Sequence, residues 1–554
     1  MVGADLQSTS TIQPSRITVA IAMLGAGAVA LVWRFLTFTG FNNDHYIYLA
    51  GAQQMVLGEW PVRDFVDPGW PLMYSVSALA RVLFGRQLWV EFAVVSCAFA
   101  IGAAVTVAAA LRLSGSIVIA LSVALLEVLM NPRSFGYPKI LLSAIAGWAL
   151  IAATERLTRS RVILLAALTV VAFLFRHDHG LYIGTGSLAA IVFGCWNEGG
   201  RVIVSRVGVF FATLVVLLLP WAIFVQYYLG LVDYFRPALE FSRAEAEATV
   251  IRALPPFDRA TSLFAQGNLE VALFYLFYAL PVTCLILVGI RAAGGRGRWI
   301  GESAGVAALA MMTIVMNLVF LRTPLAARLP DAAAPAALLG SWLIGLAWQT
   351  RATAPRRAAV TLSVLMLLAA TSAVVVVAGV PGELNRAGIL NRQGAIQERI
   401  DDLTVRLQKT MPEGSQIPSR NSEALMPFYG YVQRCSSPTD RLVMTGLSPD
   451  VFVLANRGFA GGQMAFRPAF YATPVDQRRA LTRMRSQSVP FVIVALEEEG
   501  GFRGDLPLVA AYVDEHYEPM TDIAVPDTRG LRVYVERGRT AVERDRATGW
   551  PCFR

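Results

Sequence analysis

Apolar residues run through most of the chain in long stretches broken by short polar links, and this pattern gives way to a different one near residue 381. A membrane span needs about 20 predominantly apolar residues. On that measure the sequence predicts eleven spans, at 17–38, 89–111, 115–131, 139–154, 162–175, 182–196, 207–226, 269–290, 300–321, 332–349 and 358–380. Trp70–Gly85 is also apolar. Counting it as a span would move every later arginine cluster to the other side, so it is predicted to lie along the surface or re-enter it. Beyond 381 the runs shorten. RLVMTG (441–446), VFVLAN (451–456), FVIVAL (491–496) and LRVYVE (531–536) predict strands. Residues 385–410, 473–487 and 506–517 predict helices. The expected fold is a polytopic α-helical membrane protein of about 11 transmembrane helices with a C-terminal α/β domain. Its expected division is 1–380 and 381–554.

Composition fits this class: 55% of residues are hydrophobic and only 16% charged, where a soluble domain averages about 25%. The net charge of +9 is almost all arginine, since lysine occurs only at 139 and 409. Arg112, then Arg156, Arg159 and Arg161, then Arg201 and Arg206, then Arg291, Arg296 and Arg298, and finally Arg351, Arg356 and Arg357 all fall in links on one side. Positive charge in short links marks the cytoplasmic side. The charge is therefore an orientation signal and not a nucleic-acid one. It predicts a multi-pass cytoplasmic-membrane protein with its N-terminus inside and residues 381–554 outside. The polar start and the long first apolar run do not fit a cleaved signal peptide.

The outer links hold the unusual residues. The first, 39–88, carries Asp44, Asp64 and Asp67 among Pro61, Pro68, Pro71, Trp60, Trp70 and Tyr74, the composition of a structured shelf. A second cluster, Arg133 to Lys139, holds the one lysine among the spans; a third, RHDHG, runs Arg176 to Gly180; a fourth carries Arg322, Arg328 and Asp331. Ionisable groups at a membrane boundary are costly unless solvated, paired or used. Acids alone would indicate a cation site. Acids mixed with arginines and a lysine indicate an anionic substrate beside a proton acceptor, because arginine and lysine are the usual phosphate partners. Asp44, His45, His177, Asp178 and His179 supply nitrogen and oxygen donors of the kind a divalent ion accepts. The H-x-H spacing carries no metal signature, so hydrogen bonding at a helix end is preferred to ligation for His177 and His179; no metal site or cofactor is assigned, and a divalent ion stays open. No phosphate-binding glycine loop and no H-E-x-x-H occurs. Of five cysteines, only Cys435 and Cys552 lie beyond 381. An exported compartment permits a disulfide, and that pair is expected to form one.

A first span followed by D-H-Y, the segment G-E-W-P-V-R-D-F-V-D-P-G-W-P-L and a closing L-F-G resembles the membrane-embedded glycosyltransferases of the GT-C fold. It is similar in particular to bacterial relatives of the protein mannosyltransferases and of the aminoarabinose transferase of lipid A. The resemblance covers mainly 17–182, with further support at 322–331. It implies a polyprenyl-phosphate sugar donor, an acceptor in the cell envelope, an acid of the first outer link as catalytic base, and basic residues on the donor phosphate. Asp44 matches the first acid of the family's pair, and His45 stands where the second acid would be. On this reading Asp44, with Asp64 and Asp67, is catalytic, and Lys139, Arg133, Arg176 and Arg322 bind phosphate. His45, Tyr46, Asp178, Arg328 and Asp331 are substrate contacts. A transporter or flippase of lipid-linked or anionic substrates is the alternative, although transporters carry their charges nearer the midplane and often show repeats.

Overall fold

The computed structural model describes residues 15–248, 254–294, 301–320, 329–349, 353–387, 395–408, 420–468, 470–520 and 530–553. Its membrane part opens with α1 (Arg16–Thr37), α2 (Asn43–Val56), α3 (Pro71–Phe84) and α4 (Leu88–Ser114). Next come α5 (Ile117–Leu129), α6 (Tyr137–Glu155), α7 (Arg159–Phe175), α8 (His177–Gly194), α9 (Gly200–Tyr228) and α10 (Leu231–Ala248). The bundle ends with α11 (Gln266–Gly294), α12 (Gly301–Phe320), α13 (Ala333–Gln349) and α14 (Thr353–Val377). Each of the eleven predicted spans is a helix. Among the described residues eight are long and apolar enough to cross a membrane. The outer faces of α1, α9 and α14 expose Ile21, Leu24, Val215, Val216, Leu362 and Leu365. A band of that kind is stable against lipid and not against water. Inside, Val107, Ala146, Leu150, Ile183, Leu309 and Leu338 pack in one core across α4, α6, α8, α12 and α13.

Helix α3 has 14 residues, which at 1.5 Å per residue cannot cross a hydrocarbon core of about 30 Å. It buries Met73, Tyr74, Ser77 and Arg81 and exposes Leu79, Val82, Leu83 and Phe84. The expected surface-lying element is therefore an amphipathic helix. Gly51 of α2 sits against it: a Cβ there would stand 2.5 Å from the Tyr74 ring.

Two short helices, α15 (Val380–Arg386) and α16 (Ala395–Gln408), and then α17 (Arg420–Cys435) lead into the α/β region. Its strands are β1 (Arg441–Met444), β2 (Gly458–Phe459), β3 (Phe491–Ala495), β4 (Tyr517–Pro519) and β5 (Leu531–Glu536), in the spatial order β2-β1-β3-β5-β4. β1 runs parallel to β2 and β3, while β5 is antiparallel to β3 and β4. The helices among these strands are α18 (Asp450–Leu454), α19 (Pro474–Arg485), α20 (Glu499–Asp505) and α21 (Pro507–His516). A hairpin of β6 (Glu543–Arg544) and β7 (Pro551–Cys552) follows, and Cys435 is bonded to Cys552.

VFVLAN is not a strand. Asp450–Leu454 is helical, following Ser448 and Pro449, whose sequence suits a helix start. A short apolar run does not by itself separate a strand from a buried turn of helix. The remaining strand positions alternate as period 2 demands. Leu442, Met444, Phe491 and Ile493 face α17 and α18, whereas Val443, Val492 and Val494 face α19 and α21. The first of these two cores also contains Tyr46, Tyr48 and Leu49 of α2, Phe65 and Tyr74. The shelf and the sheet thus share one apolar core.

Candidate functional site

Asn42 starts α2: its side chain accepts the His45 amide at 3.1 Å. Asp44 therefore does not cap this helix. It lies in the first turn, exposed, with no hydrogen bond or ion pair among the described residues. One turn on, Tyr48 is buried against the Trp70 ring, with centroids 5.0 Å apart. Burial pushes its phenol up to about 12; Arg176 opposes this, and Asp44 and Asp178 add to it. Tyr48 thus lies within electrostatic range both of the open carboxylate of α2 and of the charged cluster at the start of α8.

In that cluster Arg176 forks onto Asp178, with Nε 3.1 Å from Oδ1 and Nη2 2.9 Å from Oδ2, and lies 6.0 Å from the Trp70 ring. Beside it, Lys139 of α6 forms a buried ion pair with Asp331, which stands just before α13. Bidentate geometry suits a guanidinium, and a buried lysine demands a partner. The cluster's two cations are therefore already matched by two carboxylates. Among the described residues His179 Nε2 and Tyr137 Oη, both buried, have no hydrogen-bond partner. Arg133 is exposed before the turn Ser134–Gly136 and, among the described residues, makes no ion pair. Arg322 and Arg328 lie outside the described residues.

The other shelf acids are engaged. Asp64 Oδ2 accepts the Trp60 amide at 2.7 Å and Arg63 Nε at 2.8 Å, closing the turn between Trp60 and Phe65. Asp67 is buried, and its Oδ1 accepts the amides of Gly69 at 2.9 Å and Trp70 at 2.8 Å, closing the turn that leads into α3. Gly69 has φ +109°, and a Cβ there would stand 2.7 Å from the His177 ring, so only glycine fits. His45, expected at the substrate, is buried with Nε2 2.8 Å from Glu91 Oε1, which also accepts Ser77. Tyr46 is buried in the shared core, its phenol raised by burial and then by Asp450.

The structure thus brings Lys139, Arg176, Asp178 and Asp331 together, with Tyr48 in electrostatic range of Arg176, Asp178 and Asp44. It sets His45, Tyr46 and Asp64 apart from them. Sequence reasoning passed over Tyr48, Glu91, Tyr137, Tyr234 and Arg34. Arg34, which bonds Asn131 Oδ1 at 2.8 Å and the Pro132 carbonyl, carried a signal, being a charge inside the first span. Among the described residues no group of three His, Cys, Asp or Glu side chains is placed to hold a metal ion.

No protein-family model matches the chain, and no curated protein does. Among solved structures it is similar to ArnT from Cupriavidus metallidurans, a crystal structure bound to undecaprenyl phosphate. The likeness covers 94% of this chain and 98% of that one, at 12% identity and a TM-score of 0.49. ArnT is the lipid A aminoarabinose transferase, one of the proteins named above for the resemblance in 17–182. A likeness at that level fixes no residue's role.

Proposed function

We propose that the chain is a glycosyltransferase that moves a sugar from a polyprenyl-phosphate donor to an acceptor in the cell envelope, at the outer face of the cytoplasmic membrane. The observation that carries this reading is the difference among the three aspartates of one shelf. Asp64 and Asp67 are bound by the protein, while Asp44 is exposed and, among the described residues, unpaired, one turn before Tyr48 on α2. A general base must be able to reach the proton it takes, and a carboxylate so held suits an acceptor hydroxyl.

In the proposed step the hydroxyl oxygen bonds to the anomeric carbon as the bond from that carbon to the phosphate oxygen breaks. The hydroxyl proton passes to Asp44, and polyprenyl phosphate leaves with the bonding pair. A direct displacement of this kind inverts the anomeric centre. Arg133 and Arg322, with His179 and Tyr137, whose Nε2 and Oη have no partner among the described residues, are assigned to the phosphate. Lys139 and Arg176, each matched by its own carboxylate, set the geometry of the cluster. Negative charge developing on the leaving oxygen is stabilised best by donors already in place. Residues 381–554 are proposed as an extracytoplasmic domain that covers the shelf.

The test is mass spectrometry of envelope lipids and glycans in cells with and without the gene, complemented by wild type or by Asp44→Asn. The reading expects a sugar lost on deletion, restored by wild type and not by the variant. Unchanged glycans on deletion, or full rescue by Asp44→Asn, overturn it.

A further inference from the structure

Away from the charged cluster, Tyr234 of α10 bridges two groups. Its Oη is 2.9 Å from Asp67 Oδ2 and 2.8 Å from His177 Nε2. On the far side of the imidazole, Nδ1 is 2.8 Å from the Phe173 carbonyl, which can only accept, so Nδ1 carries a hydrogen. Nε2 of a neutral ring is then a lone pair. A carboxylate at Asp67 is an acceptor as well. Tyr234 would have one hydrogen for two acceptors, and one of two short contacts would go unmade in a buried site.

One added proton completes the chain. Placed on Asp67 Oδ2, it is donated to Tyr234 Oη, and the phenol donates to His177 Nε2. Placed on Nε2, it reverses both bonds and leaves an imidazolium and a carboxylate. The two forms interconvert when the carboxyl proton passes to Oη as the phenol's own hydrogen passes to Nε2. Nothing enters or leaves the set.

The surroundings favour the neutral form. His177 is stacked on Phe173 with centroids 4.0 Å apart and is enclosed by Trp221 and Phe235. Separated charges in such a shell cost several kcal/mol each, of the order given for ions in protein interiors. Burial raises the Asp67 carboxyl, against the two backbone amides on Oδ1. The charged and titratable groups that face this chain are Tyr74 from α3, Tyr471 from the α/β region and Asp178 beside His177. Asp67 and Tyr234 also line a cavity of about 40 Å³ whose wall continues through Asp233, Gln463, Asp476, Arg479 and Arg483. That is room for water. Gln463, itself buried, has an Oε1 there without a partner among the described residues.

We propose that Asp67, Tyr234 and His177 form a proton-exchange site, in which one proton, exchanged with water in the cavity at Asp67, is shared across Tyr234 with His177. The site lies where the shelf, α8 and α10 meet. Loss of its proton leaves Tyr234 able to hold the shelf or α8, but not both. The proposal does not depend on the sugar-transfer reading.

Full-length protein in detergent, labelled with ¹⁵N-histidine, provides the test. The chain has four histidines, and His177→Gln assigns the signal. At neutral pH His177 is expected as the neutral Nδ1–H tautomer, with an infrared band of a protonated carboxyl that Asp67→Asn removes. Asp67→Asn is expected to shift the His177 titration in the wild-type background and to leave it unmoved in Tyr234→Phe, where the bridge is gone. Asparagine can still accept the backbone amides and donate to Tyr234, and phenylalanine keeps the ring packing. Identical His177 titrations in wild type and Asp67→Asn, or a carboxyl band that survives Asp67→Asn, overturn the proposal. If Asp67→Asn does not fold, Tyr234→Phe decides: an unchanged carboxyl band and unchanged His177 shifts overturn the relay.

Discussion

Lys139 and Asp331, 192 residues apart, meet in an ion pair that is almost fully buried between α6 and the start of α13. The pair changes what a substitution at either position reports. Removing one partner of a buried ion pair typically costs about 3–5 kcal/mol, because the other charge is left without compensation. Lys139→Ala is therefore expected to lower thermal stability sharply, and any loss of donor binding in it would be uninterpretable. The double variant Lys139→Met/Asp331→Leu should recover most of that stability in a detergent melting assay. If the single variant melts like wild type, the pair contributes no stability.

Asp44→Asn is the contrasting case. An exposed carboxylate in a helix's first turn contributes about 0.3–1 kcal/mol through the helix dipole, and Asn42 supplies the cap. Its melting temperature is expected to stay close to wild type while transfer is lost. A melting loss as large as that of Lys139→Ala would make Asp44 a structural residue.

Asp64→Ala is expected to open the turn that Asp64 closes on Trp60 and Arg63. A net cost of about 0.5–1.5 kcal/mol per hydrogen bond predicts faster hydrogen exchange at 60–66, with transfer reduced and not abolished. Abolished transfer without local opening would move the base from Asp44 to Asp64.

Asp545 predicts an acid-sensitive hairpin. Hydrogen bonds from Arg434, at 2.7 and 2.9 Å, and from Thr548 hold its carboxyl down at about 2. A folded value below the unfolded one, about 3.9, means the stabilisation is full above that unfolded value. It is then lost as pH falls toward 2. Protection factors for amide exchange over 543–552, taken against the intrinsic rate at each pH, should fall in that window in wild type and stay level there in Asp545→Asn. The same segment is fastened by the Cys435–Cys552 bond. Closing a loop of that length contributes about 4–5 kcal/mol in the chain-entropy model, so Cys435→Ser/Cys552→Ser should melt far below wild type.

The helices of the bundle were legible because lipid requires apolar length, and length is written directly in the sequence. Arg176 and Lys139 stood out as rare charges beside spans. Asp178 and Asp331 stood out with them, but not the long-range pairing, since nothing local says that Asp331 will stand beside Lys139, or that Glu91 will take His45 out of reach of the shelf surface. Tyr48, Tyr137 and Tyr234 belong to a residue type common at interfaces, so only their geometry marks them. VFVLAN misled because β-branched residues fit a strand and a buried single turn alike, and its Ser-Pro-Asp lead was the better guide.

Gln54 closes the account of the shelf. Its buried side-chain amide donates to the Phe459 carbonyl at 3.0 Å and accepts the Phe459 amide at 3.2 Å. Phe459 lies in β2, a border strand of the sheet. One glutamine from a membrane-bound helix thus imitates the next strand and blocks a template on which a foreign chain would pair. At that border the sheet's edge is covered from outside the α/β region, and a cut near residue 381 would uncover it.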